Sequence, residues 1–266
     1  MIGEHRVANG KATIHAVVHG PEGAPWLTCL HALATDLHLW DSLLPVLSLN
    51  NRVLRIDLCG HGSSTIGSAP YTIEGLADDV VAVWNALRVD RSAVLGLSLG
   101  GMIGISLALS EPDRVSALIA ADCRADAPPA FQAMFDARDK ALADAGMAGV
   151  EALTLPSWIS PETLAEQPRV VAALRAVIRG TRPKAYLAAT AALRTLALKP
   201  RLAQVSAPSL FLVGALDGPH PAAMREMANA IPGAHFVEIP GAAHLAHLDR
   251  PDAFAKAVTQ FLEEAR

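Results

Sequence analysis

The chain has 266 residues, of which 52% are hydrophobic and 18% are charged, and its formal net charge is -4. This length and apolar content suffice for one sizeable core, so we expect residues 1–266 to form a single soluble globular domain. The 22 basic and 26 acidic side chains include no dense Lys/Arg run, which argues against nucleic acid as a partner.

The first half of the chain alternates short apolar runs, glycine turns and longer amphipathic stretches, a pattern typical of α/β proteins. The predicted strands are residues 6–9, 13–19, 26–30, 52–57, 92–97 and 115–122. A turn at Gly10-Lys11 separates the first two and predicts a hairpin. Helical patterns at 73–87 and 101–110 precede the last two, which predicts right-handed crossovers, a mainly parallel sheet and helices on both faces.

The pattern changes between residues 124 and 206, where Ala and Leu dominate and seven prolines divide the segment into short helices. Strand patterns return at 209–214 and 235–239. Residues 251–265 then form an amphipathic stretch that begins with Pro and Asp, as a helix start does. We therefore predict a sheet of about eight strands, with residues 124–206 inserted as a helical lid between strands 6 and 7.

Apolar stretches are interrupted before about 18 residues, the length that a membrane-spanning helix needs. Residues 1–15 contain no signal-peptide core, so we predict a cytoplasmic protein without membrane contact.

The three cysteines, Cys29, Cys59 and Cys123, are too far apart for a disulfide framework or a C-x-x-C metal motif. We expect them to be reduced and mostly buried.

The most informative motif is GLSLGG at residues 96–101, which lies between a predicted strand and a predicted helix. This is the context of a nucleophile elbow, with Ser98 as the nucleophile. Gly96 and Gly100 allow the close backbone approach of a sharp strand-to-helix turn. The helix that follows would direct its first amides, including that of Leu99, at a developing oxyanion. The alternative is an ordinary tight turn, because G-x-S-x-G often occurs by chance.

A serine nucleophile needs a base to take its proton. His244 follows a predicted strand and the turn Pro240-Gly241, which places its imidazole on a loop at the carboxyl edge of the sheet. We predict His244 as the general base. His247 is the alternative, and we expect it to pack or to face solvent.

The predicted acid is Asp217, which follows the strand at 209–214 at the same edge of the sheet and would orient the imidazole. Its alternative role is a turn or helix cap, because Asp-Gly-Pro also favours turns. Asp122, at the end of the strand 115–122, competes for the acid role, since a triad can draw its acid from the strand before the lid.

A second oxyanion donor is expected in the turn at residues 31–34 (HALA), where the amide of Leu33 is the candidate. An ordinary strand-to-loop turn is the alternative.

The histidine pairs 15/19, 31/38 and 244/247 lack the H-E-x-x-H pattern, and residues 57–62 lack the Gly-Lys-Ser/Thr ending of a phosphate loop. We therefore predict neither a metal nor a cofactor.

With nucleophile, acid and base in this order, the chain resembles the α/β-hydrolase superfamily over nearly its whole length. Residues 31–33 (HAL) are similar to its His-Gly-x oxyanion turn, and residues 57–64 (DLCGHGSS) to its D-x-R-G-H-G-x-S loop. Ala32 stands where the family usually has Gly, and Cys59 where it has Arg. The resemblance implies an α/β-hydrolase fold.

Residues 33–41 (LATDLHLWD), 96–102 (GLSLGGM) and 137–148 look most like the 3-oxoadipate enol-lactonase group. That resemblance implies an acyl-enzyme route: Ser98 attacks a lactone carbonyl, the amides of Leu33 and Leu99 hold the oxyanion, and His244 activates water. The alternatives are a general carboxylesterase, an acyl-homoserine lactonase and a non-catalytic ligand receptor with the same fold.

Lactones of this kind carry a carboxylate, so a guanidinium near the pocket would help recognition. Arg124 and Arg138 are the candidates, with a solvated arginine as the alternative for each. Trp158 and Trp40 are candidates for an apolar pocket wall, although Trp40 is at a position more typical of core. The Ala/Leu-rich lid helices offer a surface either for a homodimer or for packing on the sheet.

Overall fold

One eight-stranded sheet forms the centre of the fold in the computed structural model, which describes residues 3–68 and 70–266. Its strands are β1 (Gly3–Asn9), β2 (Ala12–His19), β3 (Trp26–Leu30), β4 (Arg52–Ile56), β5 (Ser92–Leu97), β6 (Val115–Ala121), β7 (Ser209–Gly214) and β8 (His235–Ile239). Their order is β1-β2-β4-β3-β5-β6-β7-β8. The antiparallel pairs are β1 with β2 and β2 with β4, and the pairs from β4 to β8 are parallel. The predicted hairpin and mainly parallel sheet are thus confirmed.

Ten α-helices connect and cover the strands in the described residues. They are α1 (Leu44–Leu47), α2 (Ile73–Leu87), α3 (Leu99–Ser110), α4 (Pro129–Trp158), α5 (Pro161–Glu166), α6 (Pro168–Gly180), α7 (Pro183–Arg194), α8 (His220–Asn229), α9 (Ala246–Asp249) and α10 (Pro251–Glu264). Short 3-10 helices occur at Leu37–Trp40 and Lys199–Gln204. None of the helices so described combines the length and the hydrophobicity that crossing a membrane requires.

Two predicted boundaries differ from the structure by more than one residue. Strand β1 begins at Gly3 rather than at residue 6, and it pairs with β2 along its whole length. Its residues alternate between exposed and half-buried because β1 is an edge strand, so the apolar signal there is weak. Helix α3 begins at Leu99 rather than at residue 101, because a single residue, Ser98, completes the turn out of β5.

The core lies on both faces of β3 and β5, the two central strands, and every residue of β5 is buried. Trp84 of α2 is fully buried and donates its indole N–H to Thr28 on β3 over 2.9 Å. Trp40 is also fully buried and packs against Phe254 of α10, so the core interpretation of Trp40 is confirmed. Cys29, Cys59 and Cys123 are buried free thiols, as expected.

Helices α4 to α7 occupy the chain between β6 and β7, in the segment predicted to be helical. Helix α4 is broken at Gly146, whose φ of 64° and ψ of -158° are not helical. The half-exposed guanidinium groups of Arg175 and Arg179 on α6 bind the buried carboxylate of Glu151 on α4. A β-bridge between Asp126 and Ala197 joins the two ends of the segment. That this segment acts as a lid, and that the chain is one domain, stay predictions.

Candidate active site

Ser98 is the single residue between β5 and α3, and its φ of 54° lies in the left-handed region. This conformation is costly for a non-glycine residue and is typically retained at functional sites. The neighbouring glycines have no space for side chains. A Cβ at Gly96 would lie 2.1 Å from the carbonyl oxygen of Gly100, and one at Gly100 would lie 2.2 Å from that of Leu30. The sequence therefore forms the elbow because only Gly fits at these two positions.

The turn that follows β3 lies beside the elbow, and Leu33 in this turn lines the same cavity as Ser98. Ala34 has a φ of 57°, and the amide of Thr35 donates to the carbonyl of Ala32 over 3.3 Å. Leu99 is the first residue of α3, so its amide belongs to the helix N-terminus, where N–H groups have no intrahelical partner.

His31 links this turn to the loop after β4. Its Nε2 accepts a hydrogen bond from the amide of Leu58 over 2.9 Å, so Nδ1 carries the proton and donates to the carbonyl of Ala32 over 2.7 Å. Burial lowers the pKa of His31, which keeps the ring neutral. His31 therefore holds the shape of the turn.

His244 and Asp217 form a buried hydrogen-bonded pair, with 2.8 Å between Nδ1 and Oδ2. Because an ionised carboxylate only accepts, the proton is on Nδ1, and Nε2 retains the lone pair that a base needs. Burial alone would raise the pKa of Asp217, but the charge of His244 and hydrogen bonds from His220 and His244 lower it to about 2. The acid is therefore ionised at neutral pH.

Ser98 and His244 line one cavity, together with Asp217. In the described part of the chain, no hydrogen bond joins the Ser98 hydroxyl to the His244 ring. Such contacts are commonly long in unliganded enzymes and shorten when substrate binds.

The structure brings His220 into the same cluster, a residue that the sequence analysis missed. Its Nδ1 lies 3.1 Å from the carbonyl oxygen of Asp217 and 3.3 Å from Oδ2 of that residue, and its ring centre is 5.4 Å from that of His244. The three side chains offer donor atoms within 4.8 Å of one another, a spacing that a metal ion would tolerate. Their contacts are those of a hydrogen-bonded cluster. The sequence contains one signal for His220: it is three residues after Asp217, at the first position of α8.

His247 and Asp122, the competing candidates for base and acid, are both fully buried. The Nε2 of His247 donates to the carbonyl of Leu39 over 3.1 Å, and burial lowers the pKa of His247 to about 4. Its ring packs against Trp40. Asp122 lies directly after β6, and its Oδ1 accepts from the amide of Gly214 over 2.8 Å.

The cavity has a volume of about 460 Å³ and is lined mostly by apolar side chains. Trp158 at the end of α4 forms part of its wall, and the ring centre of Trp158 is 6.1 Å from that of His244. The remaining apolar lining includes Met102, Phe131, Met134, Phe135, Ile159 and Leu193. A small, mainly hydrophobic substrate fits such a surface.

Arg138 lines the cavity and is 8% exposed, so its guanidinium is largely removed from water. Among the residues that the structure describes, no carboxylate lies within ion-pair distance of it. Its guanidinium carbon lies 5.6 Å from the ring centre of Phe135. Burial lowers the pKa of Arg138. A buried cation without a counter-ion is costly, and an anionic ligand would offset that cost.

The prediction for Arg124 needs correction, because Arg124 does not line this cavity. The guanidinium of Arg124 donates a hydrogen bond over 2.8 Å to Asp126, two residues further along the chain. The guanidinium also lies over the ring of Phe131, at 5.8 Å. This local ion pair holds Arg124 outside the cavity.

Asp249 on α9 fastens the loop of His244 to the end of α4. Its carboxylate accepts from the amide of Ala243 over 2.7 Å and from the amide of Ser160 over 2.9 and 3.0 Å. Asp249 thus connects the sheet edge with the helical segment.

Replacing Asp249 with Ala is expected to destabilise the protein by about 2–4 kcal/mol, because two buried N–H groups lose their acceptor. Urea denaturation would measure the loss. The control is Asp252→Ala, an exposed acid in the first turn of α10. Equal stability of both variants would contradict this role of Asp249.

Comparison with known proteins extends these observations. The family model for the alpha/beta hydrolase fold matches residues 25–251, a range that includes Ser98, Asp217 and His244. The chain is 27% identical to 3-oxoadipate enol-lactonase 2 of Acinetobacter baylyi, over 90% of this chain and 89% of that relative.

Two solved structures superimpose closely. The enol-lactonase from Burkholderia xenovorans is 32% identical with a TM-score of 0.92, and the match covers 97% of this chain and 100% of that one. A hydrolase from Pseudomonas aeruginosa is 35% identical with a TM-score of 0.92, covering 97% and 98%. The chain therefore belongs to the α/β-hydrolase fold family.

Proposed function

We propose that this protein hydrolyses a small lactone or carboxylic ester that carries a carboxylate group, through an acyl-enzyme at Ser98. The observation that carries the proposal is Arg138, a buried guanidinium without a counter-ion among the described residues, in the cavity of Ser98 and His244. The substrate class is that of a carboxylated enol lactone such as that of 3-oxoadipate.

In the proposed reaction, His244 takes the proton of Ser98 while the Ser98 oxygen attacks the carbonyl carbon. Asp217 holds the ring of His244 and stabilises its charged form. The amides of Leu33 and Leu99 donate to the oxyanion, which is the position where negative charge develops.

Collapse of the tetrahedral intermediate breaks the carbon–oxygen bond, and His244 returns its proton to the departing oxygen. In a lactone this oxygen remains attached to the acyl chain as an enol or alcohol. Water then gives a proton to His244 and attacks the acyl carbon. The bond between that carbon and the Ser98 oxygen breaks, the acid product leaves, and His244 returns the proton to the Ser98 oxygen.

Arg138 suits the recognition of a carboxylate, because a guanidinium binds both carboxylate oxygens with parallel hydrogen bonds. Trp158 and the apolar lining would contact the rest of the substrate. The enol-lactonase names of two similar proteins agree with this substrate class.

A substrate panel tests the proposal: carboxylated enol and γ-lactones, neutral γ-lactones, short p-nitrophenyl esters and acyl-homoserine lactones. We expect the highest kcat/KM for a carboxylated lactone. A preference for neutral esters would indicate a general carboxylesterase, and ligand binding without turnover would indicate a receptor.

Replacing Arg138 with Met is expected to lower kcat/KM for the carboxylated lactone by about 10- to 100-fold, mainly through KM, because a charge-assisted hydrogen-bonded pair is lost. The kcat/KM for p-nitrophenyl acetate should stay within about threefold. The matched control is Arg124→Met, which changes an arginine outside the cavity and should leave both values unaltered. Equal losses on both substrates in Arg138→Met would contradict the carboxylate role.

A further inference from the structure

Asp122 is a fully buried acid whose role the proposed reaction leaves open. It follows β6 directly, and its φ of 44° lies in the left-handed region, which is strained for a non-glycine residue. Its Oδ1 accepts from the amide of Gly214, the last residue of β7. Its Oδ2 is buried and meets no donor in residues 3–68 and 70–266. A charged carboxylate would therefore leave one of its two oxygens without a donor in a position removed from bulk solvent.

The charged groups that act on Asp122 are also acids. Gly214 hydrogen-bonds to both acids, since its amide donates to Oδ1 of Asp122 over 2.8 Å and its carbonyl accepts from the amide of Asp217 over 3.1 Å. The negative charges of Asp217 and Asp249 both raise the pKa of Asp122. Asp217 is also approached by two histidines, with Nδ1 of His244 at 2.8 Å and Nδ1 of His220 at 3.3 Å from its Oδ2.

The other neighbours do not neutralise Asp122. Burial raises the pKa of the adjacent Cys123 thiol, so that the thiol stays neutral. The guanidinium of Arg124 is engaged by Asp126. Two neighbouring carboxylates repel each other, and a proton on one of them removes the repulsion.

We propose that Asp122 is a neutral carboxylic acid at working pH and that its hydroxyl donates a hydrogen bond to Asp217. Asp122 is then a positioning residue: with His244 and His220 it fixes the carboxylate that orients the catalytic imidazole. The inference rests on the role proposed above for Asp217. Burial, followed by the negative charge of Asp217, raises the pKa of Asp122 well above its ordinary value, in agreement with the geometry.

The first test measures stability against pH and needs no activity. Asp122→Asn keeps the shape and supplies an N–H donor, but it does not titrate. In the unfolded chain Asp122 ionises near pH 3.9, whereas in the folded protein it keeps its proton. The folded state therefore binds more protons above that pH, and the wild type loses stability as pH rises.

We expect the unfolding equilibrium constant of the wild type, relative to Asp122→Asn, to rise by up to about tenfold per pH unit between pH 4 and 7. Urea denaturation at each pH gives this ratio. A ratio that is constant, or that falls with pH, would mean that Asp122 is ionised in the folded protein and would overturn the inference.

The second test separates positioning from catalysis. We expect Asp122→Asn to keep kcat within about threefold of the wild type, because the amide still donates to Asp217. Asp122→Ala should lower kcat at least about tenfold with a smaller change in KM, because the donor is lost. If Asp122→Asn loses as much kcat as Asp217→Asn does, Asp122 acts as an ionised acid in catalysis and the inference is wrong. If Asp122→Ala keeps the wild-type kcat, Asp122 does not position Asp217.

The two proposals fail separately. If Asp217→Asn keeps full activity, the proposed triad is wrong, while the pH dependence of stability still reports the proton on Asp122. If Asp122→Ala does not fold, the comparison of Asp122→Asn with the wild type in both measurements decides the inference.

Discussion

Replacing Ser98 with Ala is expected to lower kcat by about 10³- to 10⁶-fold for every ester or lactone that the protein hydrolyses. The acyl-enzyme needs the Ser98 oxygen, and an alanine methyl group supplies no nucleophile. Steady-state hydrolysis of the best substrate from the panel measures the loss. Substrate should still bind to the variant, because the cavity wall and Arg138 are unchanged, and ligand-induced thermal stabilisation would report that binding.

The matched control for this variant is Ser157→Ala. Ser157 lines the same cavity, but its hydroxyl donates to the carbonyl of Thr154 within α4. We expect its kcat to stay within about threefold of the wild type. If both serine variants keep wild-type activity, Ser98 is not the nucleophile and the elbow is structural.

Replacing His244 with Ala is expected to lower kcat by about 10³- to 10⁶-fold as well, because the serine hydroxyl then has no base to take its proton. The loss should be similar to that of Ser98→Ala, and the double variant should lose little more, since the two residues act as one unit. Initial rates of the single and double variants provide the measurement.

His247→Ala distinguishes the two histidines of this loop. His247 packs against Trp40 and donates to Leu39, so its removal should cost about 1–3 kcal/mol of stability. We expect its kcat to fall by less than about tenfold under conditions where the variant is folded. A larger loss of kcat in His247→Ala than in His244→Ala would reverse the assignment of the base.

Much of the fold was predictable because its signals are local. The hairpin of β1 and β2 follows from two strand patterns separated by a two-residue turn, and the parallel sheet follows from strands that alternate with helices. The elbow at Ser98 was predictable for the same reason. The glycine spacing around it reflects the lack of space for a side chain, because a Cβ would lie 2.1 Å from a backbone carbonyl oxygen at Gly96 and 2.2 Å from one at Gly100.

The surroundings of the site were less predictable. Arg124 and Arg138 were equivalent candidates in the sequence, but the ion pair with Asp126 holds Arg124 outside the cavity, while Arg138 lines it without a partner carboxylate among the described residues. His220 carried a weak signal, since one histidine among ten near a turn is unremarkable. Its meaning comes from the 3.3 Å between its Nδ1 and the Asp217 carboxylate.

The proximity of Asp122 and Asp217 could not be predicted from the sequence. Each acid follows its own strand, and from sequence the two were competitors for one role. Pairing of Ala121 on β6 with Leu212 on β7 brings the two strand ends together, and both carboxyl groups reach one buried cluster. The hydrogen bond that we propose from Asp122 to Asp217 depends on both strand ends, and neither strand contains it alone.

The sequence alone therefore determined the class of fold, the elbow and the candidates for nucleophile, base and acid. Each of these depends on patterns and steric limits within a few neighbouring residues. Strand pairing and helix packing determined which candidates share a cavity, which arginine is left without a counter-ion among the described residues and which acid is buried beside another. Those outcomes depend on distances between residues that are far apart in the chain. Burial and neighbouring charges change the energy of an ionised group only in the folded structure, where those distances are fixed.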